Sequence, residues 1–303
     1  MPIDPVEEFD PLKFPFIADE DNFHEYAEYV FEHLSSVVLP GWNAAIAQVN
    51  AKLPADLDTL TANLSGRYLR TVILTGAPGT YTPGLGCSRF RVRGCGAGGG
   101  GGGADGDTAE TQGGCGGGGG AGAECEVWVT VGETVDYAYT LGGGGVGGAH
   151  NSSSGSSGGN TTFVSIGDGG AACSITLAGG GGGETVSDSN AAIASGGNGE
   201  IASVSGANAF PVILKEGDSG GVGWVITSAD LAGDGLSVGG QGGASTFGEV
   251  EASRNTEGDG GSIAGFPADG FGVGGIGAAA LGSATAVSGG DGGDGIIIID
   301  EYA

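Results

Sequence analysis

Gly217-Asp218-Ser219-Gly220-Gly221 is the string that surrounds the nucleophilic serine of trypsin-like proteases. A serine hydroxyl attacks only when a histidine takes its proton and a carboxylate orients that histidine. The one histidine after residue 70 is His150, in GGAHNSSS within a glycine run, and in a chain of 71 glycines the pentapeptide is expected by chance. His24 and His33 stand at a spacing that suits neither metal ligation nor acid–base pairing. Paired carboxylates, the requirement of a glycosidase, follow from composition alone in a chain with 36 acidic side chains. The G-x-G-x-x-G matches lack a Walker lysine or ribose-binding acid between a strand and a helix. The chain is therefore not expected to be an enzyme. Asp105 with Asp107, Asp230 with Asp234, and Asp291 with Asp294 leave calcium open as a ligand for oxygen donors; otherwise no cofactor is expected, and the carboxylates keep a glycine-rich surface soluble.

With 9 basic residues against 36 acidic, the formal charge is −27 and the pI about 4.1. Phosphate backbones and anionic lipid would repel such a chain, which excludes nucleic-acid binding. The acidic, proline-broken start MPIDPVEEFDPLKF lacks the features of a secretory signal, and Ile296 to Ile299 is too short to span a bilayer, so no membrane insertion is expected. Cys87, Cys95, Cys115, Cys125 and Cys173 form an odd set without a C-x-x-C pair, the pattern of reduced thiols packed as small apolar side chains.

The elements that must position any site fall into two parts, because all but two of the glycines lie after residue 75. Residues 1–18 carry Phe9, Phe14 and Phe16 among acidic residues and prolines, which suits an arm that docks on another surface or packs on its own domain or oligomer. Asp19 to Leu39 has helical periodicity, which Pro40-Gly41 is expected to end. Trp42, Ile46, Val49, Leu53, Leu57, Leu60 and Leu64 then continue a narrow apolar stripe interrupted by Pro54. So thin a seam is marginal for a lone helix; a self-associating, three-stranded bundle explains it, with an intramolecular hairpin as the alternative. Near residue 70 the pattern turns to β-type alternation, with Phe90 and Val92 on one face of Ser88 to Gly94 and Arg89, Arg91 and Arg93 on the other.

After Gly94 come glycine runs at Gly98 to Gly103, Gly116 to Gly120, Gly142 to Gly145 and Gly179 to Gly183, separated by short strands. Collagen fails for lack of a strict three-residue repeat, and a calcium β-roll for lack of tandem nonapeptides. A flexible linker would have no use for the interleaved Val127, Trp128, Val129, Ile175, Leu177, Ile201, Phe210, Val212, Ile213, Trp224, Ile226 and Ile296 to Ile299. What remains is a packed array of polyproline-II-like glycine helices bonded to one another, their backbones close because no Cβ intervenes.

TVILTGAPGTYTPGLG, with Gly79, Thr80, Tyr81, Thr82 and Pro83, then Val129-Thr130-Val131-Gly132-Glu133-Thr134, then Gly159, Thr161, Thr162 and Phe163, and the closing GGDGGDGIIIIDEY, resemble the glycine-rich domain of bacteriophage tail fibres and tail-tip proteins. The resemblance covers roughly residues 71–303. For that stretch it implies a glycine-rich domain of short strands and packed polyglycine-II helices; related tips lack the short N-terminal coiled-coil-like helical segment read above from residues 1–70, and with it the expected fold is mainly β and irregular. It implies an adhesin made in the host cytoplasm and carried in the virion tail, its partners being a bacterial surface polysaccharide or outer-membrane protein and other tail proteins. Residues 1–70 would form the homotrimer and attach it through Phe9, Phe14 and Phe16; residues 71–303 would bind the receptor. Contact candidates are Trp224, whose other reading is a core anchor, and Asn151, Ser152, Ser153 and Asn160. The reading of a different class is a purely structural virion or surface-coat component without a receptor site.

Overall fold

A computed structural model describes residues 28, 31, 32, 34, 36, 39–64, 66–105, 112–132, 136–150, 153–167, 172–227, 235–257, 261–282 and 285–303. The chain divides into two units, residues 1–65 and 66–303. Arg67 and Arg70 belong to the second unit. The described residues are mainly β with one helix, α1 (Leu39–Leu64). Pro40 and Gly41 lie in the first turn of this helix, where a missing N–H costs nothing, and the helix expected over Asp19 to Leu39 lies almost wholly outside the described residues. Pro54 does not interrupt α1, although it has no N–H to donate to the carbonyl four residues earlier. Trp42, Ile46 and Val49 are exposed on α1.

In the second unit, β1 (Tyr68–Leu74), β20 (Ile296–Tyr302), β3 (Arg89–Cys95), β5 (Glu124–Thr130) and β12 (Ala209–Lys215) form an open antiparallel sheet in that order. A second sheet runs β11 (Ala202–Ser205), β8 (Ser174–Leu177), β7 (Thr161–Ser165), β6 (Tyr137–Thr140), β2 (Gly79–Tyr81). Their alternating apolar residues meet in one core, where Phe90, Val92, Val127, Val129, Ile297 and Ile299 of the first sheet pack with Tyr81, Tyr137, Phe163, Ile175 and Leu177 of the second. The rings of Tyr137 and Phe163 stack at 4.9 Å, and Phe90 stands edge-on to Tyr137 at 5.2 Å. A second, smaller sandwich joins β10 (Ala191–Ala194), β13 (Gly223–Thr227), β14 (Gly235–Val238) and β16 (Asn255–Glu257) to β17 (Ser262–Ile263), β19 (Ala279–Leu281), β4 (Gly113–Gly116) and β9 (Thr185–Ser189), around Cys115, Ala194, Val225 and Leu281. A small ribbon pairs β15 (Gly248–Glu249) with β18 (Asp269–Gly270).

Ten glycine-rich segments run side by side: 142–149 and 153–159 leave and re-enter the larger sandwich, 239–244 and 272–278 join the smaller one to the β15–β18 ribbon, and the other six run between the two sandwiches. Segment 96–104 donates to three neighbours in rotation. Gly98 and Gly101 donate to Gly293 and Gly290 (2.8 and 2.9 Å), Gly99 and Gly102 to Gly120 and Gly117 (2.9 and 2.8 Å), and Gly100 and Gly103 to Ser156 and Ser153 (2.9 and 3.0 Å). Its carbonyls accept from three further segments, as from Gly145 at Gly98, Gly275 at Gly99 and Gly183 at Gly100. Segment 116–123 is enclosed in the same way by 96–104, 178–184, 195–200, 217–222, 239–244 and 272–278. The remaining eight form a bonded ring around these two, in the order 178–184, 153–159, 142–149, 287–295, 272–278, 239–244, 217–222, 195–200 and back to 178–184.

Glycine is required here by proximity. A Cβ on Gly98 would lie 1.8 Å from the Val273 carbonyl oxygen, on Gly100 2.2 Å from that of Val146, and on Gly118 1.8 Å from that of Gln241. The only larger side chains in the two inner segments are the methyls of Ala97, Ala104, Ala121 and Ala123, all fully buried. Backbone contact thus replaces most of the apolar core that the sequence lacks. Burial raises the Cys95 and Cys125 thiols to about 12 and Cys115 to about 11, so they pack as neutral side chains.

Candidate functional site

Chain direction gives the second unit two ends. Both Gly66 and Ala303 lie at the end of the larger sandwich, where Gly66 N–H bonds the Ala303 carbonyl. The smaller sandwich is the far end. There the β10-β13-β14-β16 sheet turns Val225 inward, fully buried, so Trp224 and Ile226 face out. Trp224 pairs with Ile193 and Val238, and Ile226 with Ala191 and Leu236. Ile193 is 67% exposed, Ile226 57%, and Trp224 is half-buried among them. Trp224 is thus an outer-face residue rather than a core anchor. The string GWVIT gave that alternation, but which of its two faces would be covered was not readable.

Of the serine and asparagine candidates, Asn151 and Ser152 lie outside the described residues, as do Phe9, Phe14 and Phe16. Ser153 is exposed and its carbonyl accepts from Gly103. Asn160 is exposed too, and its Oδ1 accepts the Gly179 N–H at 3.1 Å. The same device recurs around the ring. Asp294 Oδ1 accepts from Gly144 N–H (2.8 Å), Asp291 Oδ1 from Gly147 N–H (2.7 Å), and Ser156 Oγ from Val146 N–H (2.7 Å). Peripheral segments have fewer than six neighbours, and side chains of adjoining segments satisfy the N–H groups that no backbone carbonyl meets. This explains the Asp291/Asp294 spacing. Asp107, Asp230 and Asp234 lie outside the described residues; among those described, no group of three or more His, Cys, Asp or Glu could hold a metal ion. Ser219 sits on segment 217–222, bonded to 116–123, 195–200 and 239–244, whereas His150 follows segment 142–149, bonded to 96–104, 153–159 and 287–295. The two segments share no neighbour.

At the entry end, the outer face of the larger sheet carries the arginines, Phe90 and Val92 being turned inward as expected. Arg91 and Arg93 meet Asp300 at 2.9 and 3.1 Å, and Arg91 reaches Glu126 at 3.6 Å. Arg89 instead lies over the Trp128 ring at 5.1 Å, and Trp128 lies 5.1 Å from Tyr302. On the inner face Glu301, 1% exposed, accepts from Arg70 Nη2 (2.7 Å), Tyr81 Oη (2.8 Å) and Gly84 N–H (3.2 Å). Burial pushes its pKa up, but these donors outweigh it and hold the carboxyl below the usual glutamate range. Asp300 is likewise driven up by burial and held below its ordinary value by Thr71 and the arginines. Several residues expected as internal anchors, Ile201, Phe210, Val212, Ile213 and Ile226, are exposed; β12 is an edge strand, which alternation alone does not reveal.

Sheets joined by segments whose interior is glycine backbone, with no conventional core between the sandwiches, define a glycine-rich domain. A family model described as a glycine-rich domain matches residues 74–302, and the chain belongs to that family. No curated protein matches it.

Proposed function

We propose that the protein is a bacteriophage tail-fibre or tail-tip protein that binds the host-cell surface during adsorption, with its receptor contacts at the far end of the second unit. The carrying observation is the exposed apolar face of Ile193, Trp224 and Ile226 held out by the glycine array. The motif resemblance to tail fibres adds the class of carrier. In this reading the ten segments are polyglycine-II helices: hydrogen-bond partners that return every third residue are what three residues per turn requires, and eight residues at about 3.1 Å each give roughly 25 Å of stiff spacer. Residues 1–70 form a homotrimer through the Trp42, Ile46, Val49 seam and attach the fibre to other tail proteins, with Phe9, Phe14 and Phe16 as docking side chains. Three weak sites on one fibre gain affinity through effective concentration. The protein is placed in the virion tail, works without a catalytic centre or cofactor, and takes a surface polysaccharide or outer-membrane protein as its partner.

One observation favours the purely structural reading. Asn160 and Ser156, in the stretch expected to contact receptor, are occupied in capping backbone N–H groups. Competition decides between the two. Purified full-length protein should block phage adsorption to susceptible cells, and Trp224→Ser should weaken that block about tenfold with unchanged mass and circular dichroism. A wild-type protein that blocks adsorption on no susceptible strain leaves the structural reading.

A further inference from the structure

The charges on the outer face of the larger sheet are satisfied in one part and free in another. Arg91 and Arg93 are taken by Asp300 at 2.9 and 3.1 Å, and Arg91 also reaches Glu126 at 3.6 Å, so the middle of the face is closed on itself. The row at its end reads Tyr68, Tyr302, Arg89, Thr130 across β1, β20, β3 and β5, and it contains no carboxylate. Arg89 is exposed and makes no ion pair among the described residues; its guanidinium lies over the Trp128 ring at 5.1 Å. Stacking occupies the flat face of a guanidinium and leaves its N–H edge for an acceptor. Trp128 in turn lies 5.1 Å from the Tyr302 ring, and Tyr302 lies 5.9 Å from Tyr68, which is 53% exposed. Three aromatic rings and one unpaired guanidinium thus form a continuous run.

The chemistry of this run selects a ligand. A held guanidinium with no carboxylate of its own takes a planar carboxylate through two parallel hydrogen bonds. Phenol rings beside the Thr130 hydroxyl present apolar faces and polar edges together, the complement of a sugar ring with its C–H face and hydroxyl rim. A protein partner would want aliphatic groups at the centre of its contact, and this row has none; Ile73, Ile298 and Ile213 share a row four residues further along the strands, about 14 Å away. A nucleic acid would need several free cations where the row offers one. The net charge of −27 leaves room for a sparsely charged ligand, because at physiological salt charges more than about 8 Å away are largely screened.

We infer that the end row and Trp128 bind a carboxylated sugar, of the uronic or sialic acid class, with its carboxylate on Arg89 and its ring against the aromatic side chains. This site lies at the opposite end of the second unit from Trp224 and does not depend on that face binding a receptor.

Biolayer interferometry at physiological salt tests it, with the full chain in solution and four polymers immobilised in turn: polygalacturonate, polysialic acid, neutral dextran and poly-glutamate. Binding to one or both carboxylated polysaccharides, and to neither of the other polymers, is expected. Arg89→Gln should weaken it about tenfold, and Arg89→Lys, which keeps the charge and loses the planar fork, should restore only part of it. Arg254→Gln, in the segment that leads into β16, should leave it unchanged, and circular dichroism should be the same for all variants. Binding to neither carboxylated polysaccharide overturns the site, and so does undiminished binding by Arg89→Gln. Equal binding to dextran overturns the role of the carboxylate. Equal binding to poly-glutamate, lost in Arg89→Gln, overturns the sugar and leaves an acidic peptide as the ligand.

Discussion

A methyl group is too large at most positions of the two inner segments, and that can be tested one residue at a time. Gly100→Ala places Cβ 2.2 Å from the Val146 carbonyl oxygen, and that carbonyl belongs to a backbone bonded on both sides. Gly143→Ala, one segment away, meets nothing within 4 Å. Urea unfolding should show Gly100→Ala destabilised by at least about 3 kcal/mol and Gly143→Ala unchanged or stabilised by about 0.5 kcal/mol. Buried Glu301 gives a second test. Its folded pKa is depressed, so its contribution to stability is complete above the unfolded carboxyl pKa and disappears as pH falls through the folded one. Stability should hold above about pH 5 and fall below about pH 4. Glu301→Gln should lose about 2 kcal/mol at neutral pH and flatten that acid slope, read from urea midpoints across pH.

Strands and runs were largely legible, because β-branched alternation at Arg89–Cys95 and Glu124–Thr130 and the position of each glycine run carry local signals. What could not be read were relations between elements. No pattern within β12 announces that it lies at a sheet edge, and nothing in GWVIT says that the Trp224 face is the outer one. The capping by Asp291 and Asp294 is present as a three-residue spacing and that by Asn160 carries no such signal, and both become meaningful only once neighbouring segments 142–149 and 178–184 are seen to present unmatched N–H groups. The helix is a related case. Proline signals a stop, and the same residue type is favoured in a first turn, which is where α1 holds Pro40. In the proposed trimer, where the exposed Trp42, Ile46 and Val49 form the seam, Ile46→Asp with Val49→Asp should reduce a three-chain mass to one chain in light scattering, with the β spectrum of the second unit retained.

For the whole molecule, stability resides in a lattice of passes between two sandwiches, and the first passes made are the most enclosed. Segments 96–104 and 116–123 leave the ribosome early, but the groups they bond to extend as far as residues 272–278 and 287–295. The last strand, β20, is inserted between β1 and β3 in the interior of its sheet. Contacts this distant in sequence make folding slow, since the chain must close long loops before the array is rewarded. The two inner segments accordingly cannot be completed until residues 287–295 have been synthesised, and a polypeptide that stopped at Gly295 would hold all of their partners yet leave β1 and β3 without the strand that lies between them.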